Sequence, residues 1–120
     1  MTDYTQLTGE DLWMRLQHES GRDRVEVLAE LGERAFQARE FGQARTLLEE
    51  AVGTAESVGD QQLLAEILYG LGAAAFNAGD ARASECAYRR AGQVFHEIGL
   101  SYAAALAAIG QSDAFRERGR

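Results

Sequence analysis

The sequence predicts an all-α fold of about six helices with no strand. None of its 120 residues is Pro, and Ala, Leu, Glu, Arg and Gln, which are good helix formers, dominate the composition. The chain also contains an internal repeat, because residues 25–60 align with residues 65–100, with 9 identical pairs in 36 positions. The repeat offset is the constant separation along the chain between equivalent residues of these two segments, such as Glu26 and Glu66. A length of 120 residues fits a single domain, residues 1–120. The composition of the chain excludes collagen-like, disulfide-rich and strand-rich folds.

The first predicted element is an N-terminal helix within residues 8–20. Thr8 is a suitable N-cap, and Glu10 and Asp11 place negative charge in the first turn, where the helix dipole favours it. The helix is expected to end at the Ser20-Gly21 break.

Residues 22–59 form the first predicted repeat, which consists of two helices. Apolar residues recur at helical spacing on both sides of a break at residues 39–42, and Gly59 is a suitable C-cap. The first apolar face contains Val25, Leu28, Leu31, Ala35 and Phe36, and the second contains Ala44, Leu47, Leu48, Ala51, Val52, Ala55 and Val58. Because the joint between them is short, the two helices are expected to run antiparallel.

Residues 61–99 repeat this pattern, and residues 101–117 form a last helix. The second repeat turns at Gly79-Asp80 and stops at Gly99. In the last helix, the pair Ile109-Gly110 is interpreted as the counterpart of Leu71-Gly72. Since one repeat cannot bury its own apolar faces, the helix pairs are expected to stack into an α-solenoid.

Residues 25–100 resemble the tetratricopeptide repeat family. The first repeat matches the family pattern at Leu28, Leu31, Gly32, Ala35, Ala44, Leu48 and Ala51, and the second at Leu68, Leu71, Gly72, Ala75, Ser84, Tyr88 and Ala91. The period of about 40 residues is longer than the family's usual value of about 34, and the family's first-helix Trp and closing Pro are missing. The chain is therefore similar to the longer variants of the family. The resemblance implies a protein whose first helices line a concave, peptide-binding groove.

By that resemblance, eight residues of the first helices line the groove. They are Glu26, Glu30, Glu33, Gln37, Glu66, Tyr69, Ala73 and Asn77, and the last helix would add Ala107, Gln111 and Phe115. The family's Lys, Arg and Asn clamp for a terminal carboxylate is absent, because the corresponding positions hold Ala29, Glu33 and Gly70. A basic or neutral protein or peptide is therefore the expected partner.

The charge of the chain limits the classes of partner that it is expected to bind. The net charge is −7, and residues 1–60 carry 13 acidic side chains against 6 Arg. Such a charge repels phosphates and anionic lipids, so neither nucleic acid nor a membrane is expected as a partner. The single Cys, the absence of a signal-peptide pattern and the lack of an apolar run of about 20 residues predict a cytoplasmic protein.

No pattern in the sequence indicates catalysis. All 12 basic residues are Arg, which excludes chemistry that requires a Lys amine. Two His in different elements and the lone Cys86 do not make a metal site. Residues 70–75 match a relaxed dinucleotide-binding pattern, but that motif requires a preceding strand, and residues 63–69 are predicted to be helical. We therefore predict a non-enzyme without cofactor, metal or catalytic residues.

The last helix is apolar on most of its sides, which is typical of a buried helix. Its residues Tyr102, Leu106 and Ile109 are therefore predicted to mediate self-association, most simply as a dimer. The favoured function is that of an adaptor that binds a protein or peptide in its groove. Two alternatives remain: a structural protein that assembles only with itself, and a regulatory subunit of a bacterial signalling system.

Overall fold

A computed structural model describes residues 2–120, and this part of the chain is all-α. It contains six α-helices and no strand, as predicted: α1 (Gly9–Leu16), α2 (Gly21–Gln37), α3 (Phe41–Val58), α4 (Gln61–Asn77), α5 (Ala81–Glu97) and α6 (Ser101–Arg118). A short 3-10 helix, Tyr4–Gln6, precedes α1 and was not predicted. No helix among residues 2–120 is both long enough and apolar enough to span a bilayer.

The helices are placed at regular intervals along the chain. From α2 onward they begin at positions 21, 41, 61, 81 and 101, which are evenly spaced. Gly59 ends α3 with a left-handed φ of 81°, as predicted. The turn between α2 and α3 has Arg39 at a φ of 63°, whereas the turn between α4 and α5 has Gly79 at 88°. This conformation costs a non-Gly residue about 1–2 kcal/mol, so the first turn is the more strained of the two.

Two Asp residues cap helices and also connect them to earlier helices. Asp60 and Asp80 each accept a hydrogen bond at 3.0 Å from the main-chain N–H three residues further on, at the starts of α4 and α5. Arg22 of α2 forms an ion pair with Asp60, and Arg45 of α3 forms one with Asp80 at 2.9 Å. The main-chain hydrogen bonds, together with these guanidinium groups, lower the pKa of both carboxyls.

Each helix packs chiefly against the next one in the chain, and α6 also contacts α4. The core therefore runs continuously from α1 to α6. Its buried side chains are mostly aliphatic, with Ala where helices approach closely. They include Leu12, Val25, Leu28, Leu48, Ala51, Leu64, Leu68, Ala91, Val94 and Phe95.

Candidate functional site

Glycines in α2 and α4 make room for large side chains of the following helix. A Cβ on Gly32 would lie 3.1 Å from Leu48 Cγ, and a Cβ on Gly72 would lie 2.8 Å from the Tyr88 ring. Leu48 and Tyr88 are separated by one repeat offset. The two repeats therefore have equivalent contacts at this point, and the side chain that packs on the glycine is larger in the second repeat. Ser84 adds a buried hydrogen bond of 2.7 Å from its hydroxyl to the Gly72 carbonyl oxygen.

The Leu48 and Tyr88 side chains also lie close to a glycine of the next helix in the chain, Gly70 of α4 and Gly110 of α6 respectively. A Cβ on Gly70 would lie 3.7 Å from Leu48, and one on Gly110 would lie 2.7 Å from the Tyr88 ring. Gly110 therefore takes the place of Gly70, one repeat offset later. The predicted equivalence of Ile109-Gly110 with Leu71-Gly72 is wrong, because α6 begins one repeat offset after α4 and keeps that register.

This register changes which residues of α6 correspond to the groove residues predicted in α2 and α4. Ala107 is fully buried, so it cannot line the groove as predicted. Gln111 and Phe115 lie beside Glu85 in a different depression of about 270 Å³. Their predicted place in the groove followed from the incorrect register and is therefore wrong.

Leu106 and Ile109 instead take the places of Glu66 and Tyr69, one repeat offset later in the chain. Leu106 lies beside Glu66 and Tyr69 in one pocket between α4 and α6. Tyr102 is 79% exposed and Ile109 is 59% exposed. The stripe predicted for self-association thus continues the face that was predicted to bind a ligand.

Two neighbouring cavities occupy this face. The α2–α4 cavity measures about 210 Å³ and has an apolar floor with two carboxylates. The α4–α6 pocket measures about 180 Å³, is almost entirely apolar and shares Glu66 with the first cavity. The α2–α4 cavity is lined by Ala29, Gly32, Glu33, Phe36, Leu48, Glu66, Ile67, Gly70 and Ala73, and the α4–α6 pocket by Glu66, Tyr69, Phe95, Ala103 and Leu106.

Four of the predicted groove residues are brought together in these cavities. Glu33, Glu66 and Ala73 line the α2–α4 cavity, and Tyr69 lines the α4–α6 pocket with Glu66. Both carboxylates are exposed. Among residues 2–120, no Arg or His lies within ion-pair distance of Glu33 or Glu66. The cavity therefore keeps its negative charge.

The side-chain amides of α2 and α4 are engaged within their own helices. Gln37 donates a hydrogen bond of 2.8 Å to Glu33. Asn77 donates one of 2.8 Å to the Ala73 carbonyl oxygen. Neither residue lines the two cavities. A hydrogen bond from either amide to a ligand would require that amide to leave its present partner.

Glu26 and Glu30 lie beside the N-terminal segment instead. Glu30 forms an ion pair of 2.8 Å with Arg34. Arg34 also donates hydrogen bonds to the carbonyl oxygens of Thr5, at 3.2 Å, and Leu7, at 2.6 Å. Burial raises the pKa of Tyr4, and nearby carboxylates, Glu26 among them, raise it further. The three Glu of α2 are therefore divided between a structural contact and the cavity.

Tyr88 occupies the centre of the contact between α4, α5 and α6. Its ring stacks edge-to-face on Tyr69, with 5.3 Å between the ring centroids. Burial raises the pKa of the Tyr88 hydroxyl to about 12, and the charges of Tyr69 and Asp113 add to the shift. Tyr88 thus connects the buried core to the pocket lined by Tyr69.

The raised pKa predicts a specific loss of stability in alkaline solution. An unfolded Tyr ionises at about pH 10, whereas folded Tyr88 ionises at about 12. The unfolded chain therefore releases its proton first, and the free energy of unfolding falls as the pH rises from about 10 to about 12. We expect urea titrations to show a weaker fall in Tyr88→Phe than in wild type, because the variant lacks the buried hydroxyl. Identical pH profiles for wild type and Tyr88→Phe would contradict this assignment.

Other chemistry-bearing side chains of the described chain are dispersed. Across residues 2–120, no three His, Cys, Asp or Glu side chains are grouped as metal ligands would be. Cys86 is exposed on α5, away from both cavities. Comparison with protein-family models, with curated proteins and with solved structures finds no match to this chain.

Proposed function

We propose that this protein is a tetratricopeptide-like adaptor that binds a protein segment along the face formed by α2, α4 and α6. The observation that carries the proposal is the pair of adjoining cavities on this face, of about 210 and 180 Å³. Small-molecule sites usually measure about 300–1,000 Å³, so each cavity suits a single side chain better than a cofactor. A row of such cavities suits a peptide.

The architecture that we propose is a short α-solenoid of antiparallel helix pairs. The evenly spaced helix starts support it, as does the packing of each helix on the next. From α2 onward the joints have two or three residues, which leaves little length for any arrangement other than an antiparallel pair. In such a stack, α2, α4 and α6 are the first helices of successive units and share one face.

The test is a peptide-display selection on the immobilised full chain, followed by NMR mapping of the best peptide. We expect the largest amide shifts at Ala29, Glu33, Glu66 and Ala73. Failure to select any peptide, or shifts confined to the exposed faces of α3 and α5, would refute the proposal.

A cavity-filling variant provides a matched control for this test. In Ala73→Met the longer side chain occupies the α2–α4 cavity, and we expect peptide affinity to fall by about tenfold or more. Gln93→Met adds a similar side chain to the exposed surface of α5 and should leave affinity unchanged. Circular dichroism of both variants checks that the fold is retained.

Self-association is a second candidate function, favoured by the exposed stripe Tyr102, Leu106 and Ile109. Monomers seldom leave a continuous apolar patch uncovered unless it serves as an interface. Sedimentation at high concentration should show a dimer, and Tyr102→Ser with Ile109→Ser should return it to a monomer. A wild-type chain that stays monomeric at high concentration would remove this candidate.

A further inference from the structure

We propose that the partner segment carries a basic side chain, Arg or Lys, beside a large apolar side chain. The basic side chain enters the α2–α4 cavity between Glu33 and Glu66, and the apolar one enters the α4–α6 pocket against Tyr69 and Leu106. The inference rests on the proposed function and specifies the chemistry of its ligand.

The form of the α2–α4 cavity matches a long basic side chain. Its floor is apolar and includes the half-buried ring of Phe36, while its carboxylates are exposed to solvent. Arg and Lys have the complementary character, an apolar stem and a charged head that stays hydrated. A guanidinium or ammonium group above Phe36 would also gain a cation–π contact.

Charge complementarity disfavours acidic and purely apolar ligand side chains in the α2–α4 cavity. Glu33 and Glu66 have only neutral amide partners in residues 2–120, Gln37 at 2.8 Å and Gln62 at 3.2 Å. Glu30, by contrast, is already neutralised by Arg34. An acidic ligand would meet two uncompensated negative charges, and a purely apolar one would make no use of them.

The α4–α6 pocket selects the neighbouring side chain of the ligand. Its surface is apolar and is formed by Tyr69, Phe95, Ala103 and Leu106. Two further side chains of α6, Tyr102 and Ile109, are exposed beyond the pocket. An aliphatic or aromatic side chain would remove this surface from water, which is the main favourable term in association. Because Glu66 belongs to both cavities, the two ligand side chains must be close neighbours.

The experiment analyses the peptides selected on the full chain for composition and for dependence on the two carboxylates. We expect the pool to be enriched in Arg or Lys at a fixed short distance from a large apolar residue. Peptides that map to the groove without a basic residue would overturn this inference and leave the proposed function standing. A selection that yields no peptide would overturn both. If the selected peptides resemble a segment of this chain, the occupant is a second copy of the protein. In that case a segment with the basic residue would support the inference, and a segment without it would overturn the inference.

Matched charge variants make the test specific. Glu33→Gln with Glu66→Gln should weaken binding of the selected peptide by about tenfold or more, and should reduce the salt dependence of binding. Glu40→Gln with Glu97→Gln removes the same charge from exposed positions outside both cavities, and should change affinity by less than about twofold. Equal effects of the two pairs would overturn the inference. Replacing the peptide's basic residue by norleucine should abolish the difference between wild type and the Glu33/Glu66 variant.

Discussion

Replacing Gly110 with Ala is expected to destabilise the fold by about 1–3 kcal/mol. The new Cβ would lie 2.7 Å from the Tyr88 ring, which is closer than atoms can approach without movement. The ring also lies so close to Gly72 of α4 that a Cβ there would be 2.8 Å away, so little space is left for the ring to move. Tyr88 is thus held between the backbones of α4 and α6, and each glycine is required by the same side chain.

The matched control is Gly70→Ala, because Gly70 is the counterpart of Gly110 one unit earlier. Its Cβ would make an ordinary contact of 3.7 Å with Leu48, and Ala favours a helix over Gly by about 1 kcal/mol. Urea unfolding should therefore show Gly70→Ala to be neutral or stabilising, and Gly110→Ala to be destabilising. Changing Tyr88 to Leu, the residue type found at position 48, should reduce the cost of Gly110→Ala. Equal effects of the two glycine substitutions would contradict the assigned contact.

Leu12→Ala is expected to lower the free energy of unfolding by about 2–5 kcal/mol, the range for a large buried aliphatic side chain. Leu12 is 0% exposed, although it belongs to the short helix α1, residues Gly9–Leu16. A helix of this length is unstable in isolation. Its N-cap, in which Thr8 accepts a hydrogen bond of 3.1 Å from Asp11, cannot compensate for the loss of the core contact.

Met14→Ala in the same helix is the control, since Met14 is 63% exposed. We expect it to change stability by less than about 0.5 kcal/mol. Both variants can be compared with wild type by urea unfolding monitored through circular dichroism and through Trp13 fluorescence. If Leu12→Ala only reduces helix content without shifting the main transition, α1 would be an independent appendage, contrary to its buried contact.

The helices of this fold were predictable because their signals are local and recur. Apolar spacing, the turn residues and the repeat offset each point to the same helices, and none requires knowledge of distant contacts. The 3-10 helix Tyr4–Gln6 was missed because it depends on such contacts. It is held by Arg34, whose guanidinium reaches carbonyl oxygens 27 to 30 positions earlier. No local pattern in the sequence encodes that interaction.

The candidate site was only partly predictable for the same reason. Glu33, Glu66, Tyr69 and Ala73 were identified by their positions on the first helices, and they line the cavities. Helical spacing pairs Glu30 with Arg34, four residues later in the same helix. It could not show that Arg34 also binds carbonyl oxygens of the N-terminal segment.

The register of α6 was mispredicted because its Ile-Gly dipeptide resembles the Leu-Gly dipeptide of α4, although the two are not separated by the repeat offset. Ile109-Gly110 has the same kind of residues as Leu71-Gly72, but its glycine has the role of Gly70. Extending the repeat offset through the last helix would have assigned Gly110 correctly. The same extension would have placed Leu106 beside Glu66 and Tyr69.

Ser112 stands where both preceding units have glycine, since Gly32, Gly72 and Ser112 follow one another at the repeat offset. In those units the missing Cβ admits Leu48 or Tyr88 of the following helix. Ser112 has a Cβ at the equivalent position of α6, which leaves less room for a large neighbouring side chain than Gly32 or Gly72 does. A neighbour packing on α6 at this position would therefore need a smaller side chain than Leu48 or Tyr88.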